Sequence, residues 1–261
     1  MTFDTPMWTL AVIAAMLVGL AKTGVPGIGM LFVAIFAMLM PTKQSSGFVL
    51  PLLIVGDIVA VLSYRQHTEW KYLWRLFPWA AAGVGLGALA MNRINNRQAQ
   101  LLVGSIIVTL VVLHVVRKWR PAKPAGAVVS AGGAGVASAE VSEHGVWFPP
   151  TIGVLAGFTT LVANAAGPLM AIYLLAMRLP KLAFVGTGAV FFLLLNLFKV
   201  PFMVGLELIT TDSLRFNLIL IPAVLAGALI GRWVLPRVSQ EWFERLALIL
   251  SAGAGLKLLI G

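Results

Sequence analysis

The sequence predicts an all-α polytopic membrane protein built from two inverted-topology repeats, each a broken or re-entrant helix pair followed by three transmembrane helices. Three observations predict it. Of the 261 residues, 60% are hydrophobic and only 11% are charged, against about 25% charged in a soluble domain, so the chain lacks the polar surface to face water. Apolar runs recur along nearly the whole length and are continuous, which favours helices over the short alternating strands of a β-barrel. The two halves also place proline, glycine and polar residues alike.

Taken in order, apolar runs between charged or Pro/Gly-rich breaks fall at 7–21, 27–40, 46–64, 73–91 and 99–116, then at 151–163, 168–178, 182–204, 215–235 and 243–260. Residues 1–117 form the first repeat and 151–261 the second. Between them 118–150 is rich in Ala, Gly, Ser and Pro without a helical stripe, and reads as a flexible linker. The matches between halves are specific. "MLMPTKQSSG" (Met38 to Gly47) aligns with "MRLPKLAFVG" (Met177 to Gly186), and at that offset Asp57 falls on Asn196. "FPWAAAGVGLG" (Phe77 to Gly87) matches "IPAVLAGALIG" (Ile221 to Gly231). The pairs Gly83/Gly87 and Gly227/Gly231 are small-residue patterns that let helices approach closely.

Spanning ~30 Å of hydrocarbon takes roughly 20 helical residues. Segments 7–21, 27–40, 151–163 and 168–178 fall short of that, so each pair is expected to re-enter or to meet inside the membrane and return to its starting side. Three full spans then give each half an odd number of crossings, so two related halves must lie in opposite orientations, a build common among secondary transporters. Loop charges set the orientation. Arg65, Lys71, Arg75, Arg117, Lys118, Arg120, Lys123, Arg178, Lys181, Arg232, Arg237 and Arg245 share one side, against Lys43, Arg93, Arg97 and Arg215 on the other. The richer side is expected in the cytoplasm, with the linker, and both termini outside. Trp70, Tyr72, Trp74, Trp119, Trp147 and Trp242 stand at segment ends, as an interfacial belt would. The net charge of +10 is scattered over these loops, which argues against a nucleic-acid partner. Without Lys or Arg before its first apolar run, the N-terminus does not read as a cleaved signal peptide.

The chemistry concentrates at the two breaks. "GLAKTGVPGIG" (Gly19 to Gly29) interrupts the first apolar run, and Gly24, Pro26 and Gly27 predict a helix restarting near Pro26 or Gly27. The free N–H groups and positive dipole end of such a start suit an anion. "ANAAGPLMAIY" (Ala163 to Tyr173) repeats the pattern, with Asn164 in the turn and Gly167-Pro168 opening the next helix. Lys22 puts a full positive charge at the first break. Its readings are a substrate contact with Thr23, an ion pair with Asp57, or snorkelling to an interface. Asp57 is the only carboxylate away from the ends of a predicted span, as a structural partner or as a proton carrier. Asn196 and Lys199 share a helical face in the equivalent region. Lys199 would complete the anion site, pair with Asp57 or snorkel, and Pro201 is expected to kink the helix beyond it. His67, His114 and His144 lack metal-ligand spacing, cysteine is absent, and no Ser/His/Asp group or phosphate loop occurs. No enzyme activity, metal or cofactor is expected.

With these two broken segments and the long central loop, the chain resembles the TauE/SafE sulfite exporter family over essentially its whole length. The resemblance implies a bacterial cytoplasmic (inner) membrane transporter for sulfite, organosulfonates and related small anions. It places the family's signature segments on Gly19, Lys22, Thr23, Gly24, Pro26 and Gly27, and on Asn164, Gly167 and Pro168. The expected partners are a small anionic substrate and the lipid bilayer, with a homo-oligomer left open. The leading function is export of a sulfur-containing anion by alternating access at a midplane site. The alternatives are proton-coupled uptake of another small anion, cation or metabolite through Asp57, and a membrane assembly subunit that transports nothing.

Overall fold

The computed structural model describes residues 4–24, 28–91, 93–119 and 146–260, and among these every regular element is a helix. Five α-helices precede residues 120–145: α1 (Thr5–Thr23), α2 (Gly29–Leu39), α3 (Thr42–Tyr64), α4 (Trp70–Met91) and α5 (Asn96–Trp119). Five follow: α6 (Phe148–Ala163), α7 (Gly167–Ala176), α8 (Lys181–Gly205), α9 (Thr211–Val234) and α10 (Gln240–Ile260). Each set is a pair of helices separated by a break and then three longer helices, in the order expected from the apolar runs.

Several helices start earlier than hydropathy predicts, because their first turns are polar and held by caps. The Asp4 side chain accepts from the Met7 N–H at 3.1 Å, ahead of Pro6 in the first turn of α1. Asn95 and Gln98 accept from each other's backbone N–H at 2.8 and 3.0 Å, moving the start of α5 back to Asn96. Thr210 and Ser213 form the same reciprocal box before α9. The linker expected at 118–150 is shortened at both ends. Residues 118–119 belong to α5 and 148–150 to α6, where Pro149 and Pro150 fit a first turn that needs no N–H donors. Residues 146–147 form a turn, and the rest of the predicted linker, 120–145, lies outside the described residues.

Helix lengths also correct one expectation. With its capped start α1 has 19 residues, about 28 Å at ~1.5 Å per residue, and joins α3, α4, α8 and α9 as long and apolar enough to cross a membrane. Helices α2, α6 and α7, with 11, 16 and 10 residues, do fall short. Helix α8 runs through Pro201 to Gly205. Large apolar side chains such as Leu62, Leu89, Leu218, Ile219, Leu229 and Ile249 lie exposed on the outer faces. A water-facing surface would not carry so many, whereas hydrocarbon accepts them. This is a multi-pass membrane protein.

The packing interlocks the two sets of helices. α1 lies along α9 and α6 lies along α4, while α3 packs on α8 and α5 on α10. Bare backbone makes the first two contacts close. A Cβ on Gly227 would overlap the carbonyl oxygen of Met16, and one on Gly83 would overlap that of Val154. The small-residue patterns on α4 and α9 are therefore packing surfaces for the helices that carry the breaks.

Candidate functional site

The two breaks are built differently. α1 ends at Thr23, and the Gly24 N–H donates to Leu20 O at 2.9 Å. Residues 25–27 are outside the described residues, so the predicted contributions of Pro26 and Gly27 fall there, and described helix resumes at Gly29. After Ala163 the chain turns through Asn164, whose φ of 51° lies in the left-handed region. Asparagine tolerates that region better than other residues with a Cβ. The Asn164 N–H donates to Thr160 O at 3.0 Å and the Ala165 N–H to Thr159 O at 3.2 Å, which closes α6. Gly167 and Pro168 then open α7, a position where a missing N–H costs nothing.

Both breaks border one partly open cavity of about 110 Å³. Lys22, Gly24 and Gly29 reach it from the first break, and Asn164, Gly167 and Pro168 from the second. Phe32, Leu53, Met170, Phe184, Val185 and Phe192 supply most of the remaining wall, and Thr160 and Asn196 are its other polar side chains. A pocket of this kind, mainly apolar with a few polar groups, is the usual form of a small-ligand site.

The charged groups are placed one behind another. Lys22 borders the cavity, and its ammonium sits 2.8 Å from Asp57 Oδ1. Its side chain is 12% exposed and that of Asp57 is 0% exposed, so the lysine shields the carboxylate. The ammonium also lies 4.3 Å from the ring centroid of Phe192, a cation–π distance. Asn196 Nδ2 donates to Asp57 Oδ2 at 2.6 Å. The ion pair read from the sequence is thus formed, and the asparagine equivalent to Asp57 completes it.

Lys199 takes none of its three predicted roles in simple form. It is fully buried, does not contact Asp57, and is not at an interface. Its ammonium donates to Thr160 O at 2.8 Å, to Thr160 Oγ1 at 3.3 Å and to Asn164 Oδ1 at 2.7 Å. Three acceptors meet its three N–H bonds. Asn164 Nδ2 donates onward to Ser46 O at 3.0 Å, and Ser46 Oγ donates to Leu161 O at 2.8 Å. This network ties the second break to α3 and α8. Thr23 also departs from expectation. It does not border the cavity; its hydroxyl donates to Ala228 O at 2.7 Å and Gly19 O at 3.1 Å, joining α1 to α9. Tyr64 OH donates to Thr23 O at 3.0 Å.

Against this geometry, the family model described as Sulfite exporter TauE/SafE matches residues 11–258. The chain belongs to the TauE/SafE family. The match contains both breaks and every charged group just described. The family is one of membrane transporters, and its description points to export of sulfite or a related anion. No curated protein and no solved structure gives a significant match.

For this TauE/SafE chain, sequence reading missed Thr160, Ser46 and Phe192. Thr160 stands four residues before Asn164, one helical turn, and that spacing was a usable signal. Ser46 and Phe192 meet the site only through tertiary packing, which no local pattern announces.

Proposed function

We propose that the protein is a secondary transporter that exports a small sulfur-containing anion, sulfite or an organosulfonate, through the cavity between the two breaks. The observation that carries this reading is that Lys22 from the first break and the opening turn of α7 from the second border the same cavity. The first turn of a helix has N–H groups without intrahelical partners and a partial positive charge, so an anion there meets donors already in place. The apolar wall keeps the local dielectric low and strengthens each of these contacts.

Lys22, Gly24, Asn164, Gly167 and Pro168 would contact the substrate, with Pro26 and Gly27 alongside by sequence. Asp57 would hold the ammonium at the cavity wall. Residues 1–117 and 151–261 would act as inverted repeats, rocking about the site to expose it to either side. With the linker in the cytoplasm of a bacterial inner membrane and both termini outside, an inside-negative potential favours anion exit by ~2.3 kcal/mol per charge per 100 mV. The test is efflux of labelled sulfite from proteoliposomes under an imposed potential. Efflux above empty liposomes that rises with internal negative potential is expected; no flux of any sulfur oxyanion would end the proposal.

A second reading is proton coupling through Asp57. The complete burial of its carboxylate against Lys22 favours it, since an anion competing for the lysine would leave the carboxylate to take a proton. In the same liposomes a pH gradient at zero potential would then drive flux. The described charged groups near Asp57 are Lys22 on α1 and Lys199 on α8.

A further inference from the structure

Gly188 is a buried glycine that packing does not require. It lies inside α8, where alanine would be the better helix former. The buried glycines Gly19, Gly83, Gly157 and Gly227 stay small because a Cβ would come within 2.0, 2.1, 1.9 and 1.9 Å of a carbonyl oxygen on a neighbouring helix. A Cβ on Gly188 would meet one atom, Leu174 Cδ1, at an unstrained 3.9 Å. Gly188 is nonetheless buried, and it borders the cavity. The room left beside it is therefore inside the protein, at the cavity wall.

The other half of the chain fills the same position. At the offset that sets Asp57 against Asn196, Gly188 and Ala189 correspond to Val49 and Leu50 of α3. That larger pair is packed away to 1% and 0% exposure. The scaffold thus accepts branched side chains at this turn, and α8 omits them. Phe184 and Phe192 stand four residues to either side of Gly188, and Val185 stands four before Ala189, so these residues share one face of the helix. All five border the cavity. The face runs large, small, large, which makes a notch walled by hydrocarbon. Water would find few partners there. The Lys22 ammonium lies 4.3 Å from the Phe192 ring centroid, and Phe192 is one turn from Gly188, about 6 Å along the axis at 1.5 Å per residue.

We propose that Gly188 is a specificity-determining residue: its notch receives the uncharged, apolar part of the substrate anion and sets the length accepted. Sulfite has no hydrocarbon to bury there, so the site prefers anions that carry a short alkyl group. A hydrocarbon-lined cavity of about 150 Å³ is room for a benzene ring. The cavity here, about 110 Å³, must hold the charged group as well, which keeps the alkyl part short. The inference rests on the export reading above and specifies the uncharged end of the substrate.

The test uses the full chain in proteoliposomes and a series of equal charge: methanesulfonate, ethanesulfonate, propane-1-sulfonate and hexane-1-sulfonate, with sulfite alongside. Wild-type efflux efficiency at low internal concentration should rise about fourfold per methylene, the worth of one buried CH₂, from methanesulfonate to propane-1-sulfonate, and fall at hexane-1-sulfonate. Gly188→Ala, whose methyl group has room, should lower the propane-to-methane ratio by about fourfold. Gly188→Val should lower it further while methanesulfonate still moves. Gly85→Ala, at an uncrowded glycine of α4 that does not border the cavity, should leave the ratio unchanged. Equal efficiency for sulfite and the three short sulfonates in the wild type would overturn the inference while leaving anion export intact, and that comparison needs no variant to fold. A wild-type rise that both Gly188 variants leave unchanged, or that Gly85→Ala lowers as much, would overturn it too. Absence of efflux for every sulfonate and for sulfite would remove the export reading, and this inference with it.

Discussion

In the first half of the chain the lysine sits on the broken helix α1 and reaches a carboxylate on α3; in the second half it sits on α8 and reaches back to neutral acceptors where α6 breaks. The scaffolds are otherwise alike. Gly19 and Gly157 each press against backbone of a helix from the other half, and three residues further on stand Lys22 and Thr160. Pro41 and Pro180 precede α3 and α8, and Asp57 and Asn196 lie at the same distance beyond them. What differs is where charge is placed on equivalent positions. The first half forms a closed ion pair with its cationic end at the cavity. The second uses its lysine as a tie that orients Asn164 and so the entrance to α7. One half presents charge, and the other fixes the backbone that faces it.

That contrast breaks most visibly at Lys22. Lys22→Met leaves the Asp57 carboxylate buried without its cation, which is expected to destabilise the protein by about 3–5 kcal/mol. The double variant Lys22→Met/Asp57→Leu should regain most of that loss in a denaturant or thermal melt in detergent, yet remain inactive in efflux. A single variant as stable as wild type would show that the pair is not the counterpart described. Lys199→Met should cost less, about 1.5–3 kcal/mol, because it strands neutral acceptors and not a charge. Its efflux should fall with the order of the second break, read as faster hydrogen exchange at Asn164 and Ala165. Equal losses at Lys22 and Lys199 would erase the distinction between the halves.

The glycine contacts sharpen the likeness instead of the difference. Gly83→Val and Gly227→Val force a side chain against the carbonyls of Val154 and Met16, and each should destabilise by about 1–3 kcal/mol. Melts of the two variants should agree closely if the halves are packed alike; a silent variant on one side would break the equivalence. The smallest effect is expected at Thr23→Val, about 1 kcal/mol for the lost bond to Ala228 O. Efflux should change little, since Thr23 is not at the cavity wall.

Much of this was legible in the sequence. Long apolar runs gave the helices, and Gly-Pro punctuation gave the second break at Gly167 and Pro168, because both signals are local. The polar first turns of α1, α5 and α9 were missed by hydropathy, although Asp4, Asn95 with Gln98, and Thr210 with Ser213 carry recognisable capping chemistry. At the site, Lys22 with Asp57 could be matched because only one carboxylate lay away from the ends of a predicted span. The targets of Lys199 and Thr23 are backbone carbonyls and an amide on other helices. Every residue offers a carbonyl, so composition cannot say which one a donor will meet.

The most direct measurement is an experimental structure of the protein in lipid nanodiscs with a bound organosulfonate. The account predicts the sulfonate group in the cavity, within hydrogen-bond distance of the Lys22 ammonium and against the first turn of α7. A sulfonate bound elsewhere, with Lys22 and the α7 turn making no contact to it, would contradict the claim that the two breaks form one anion site.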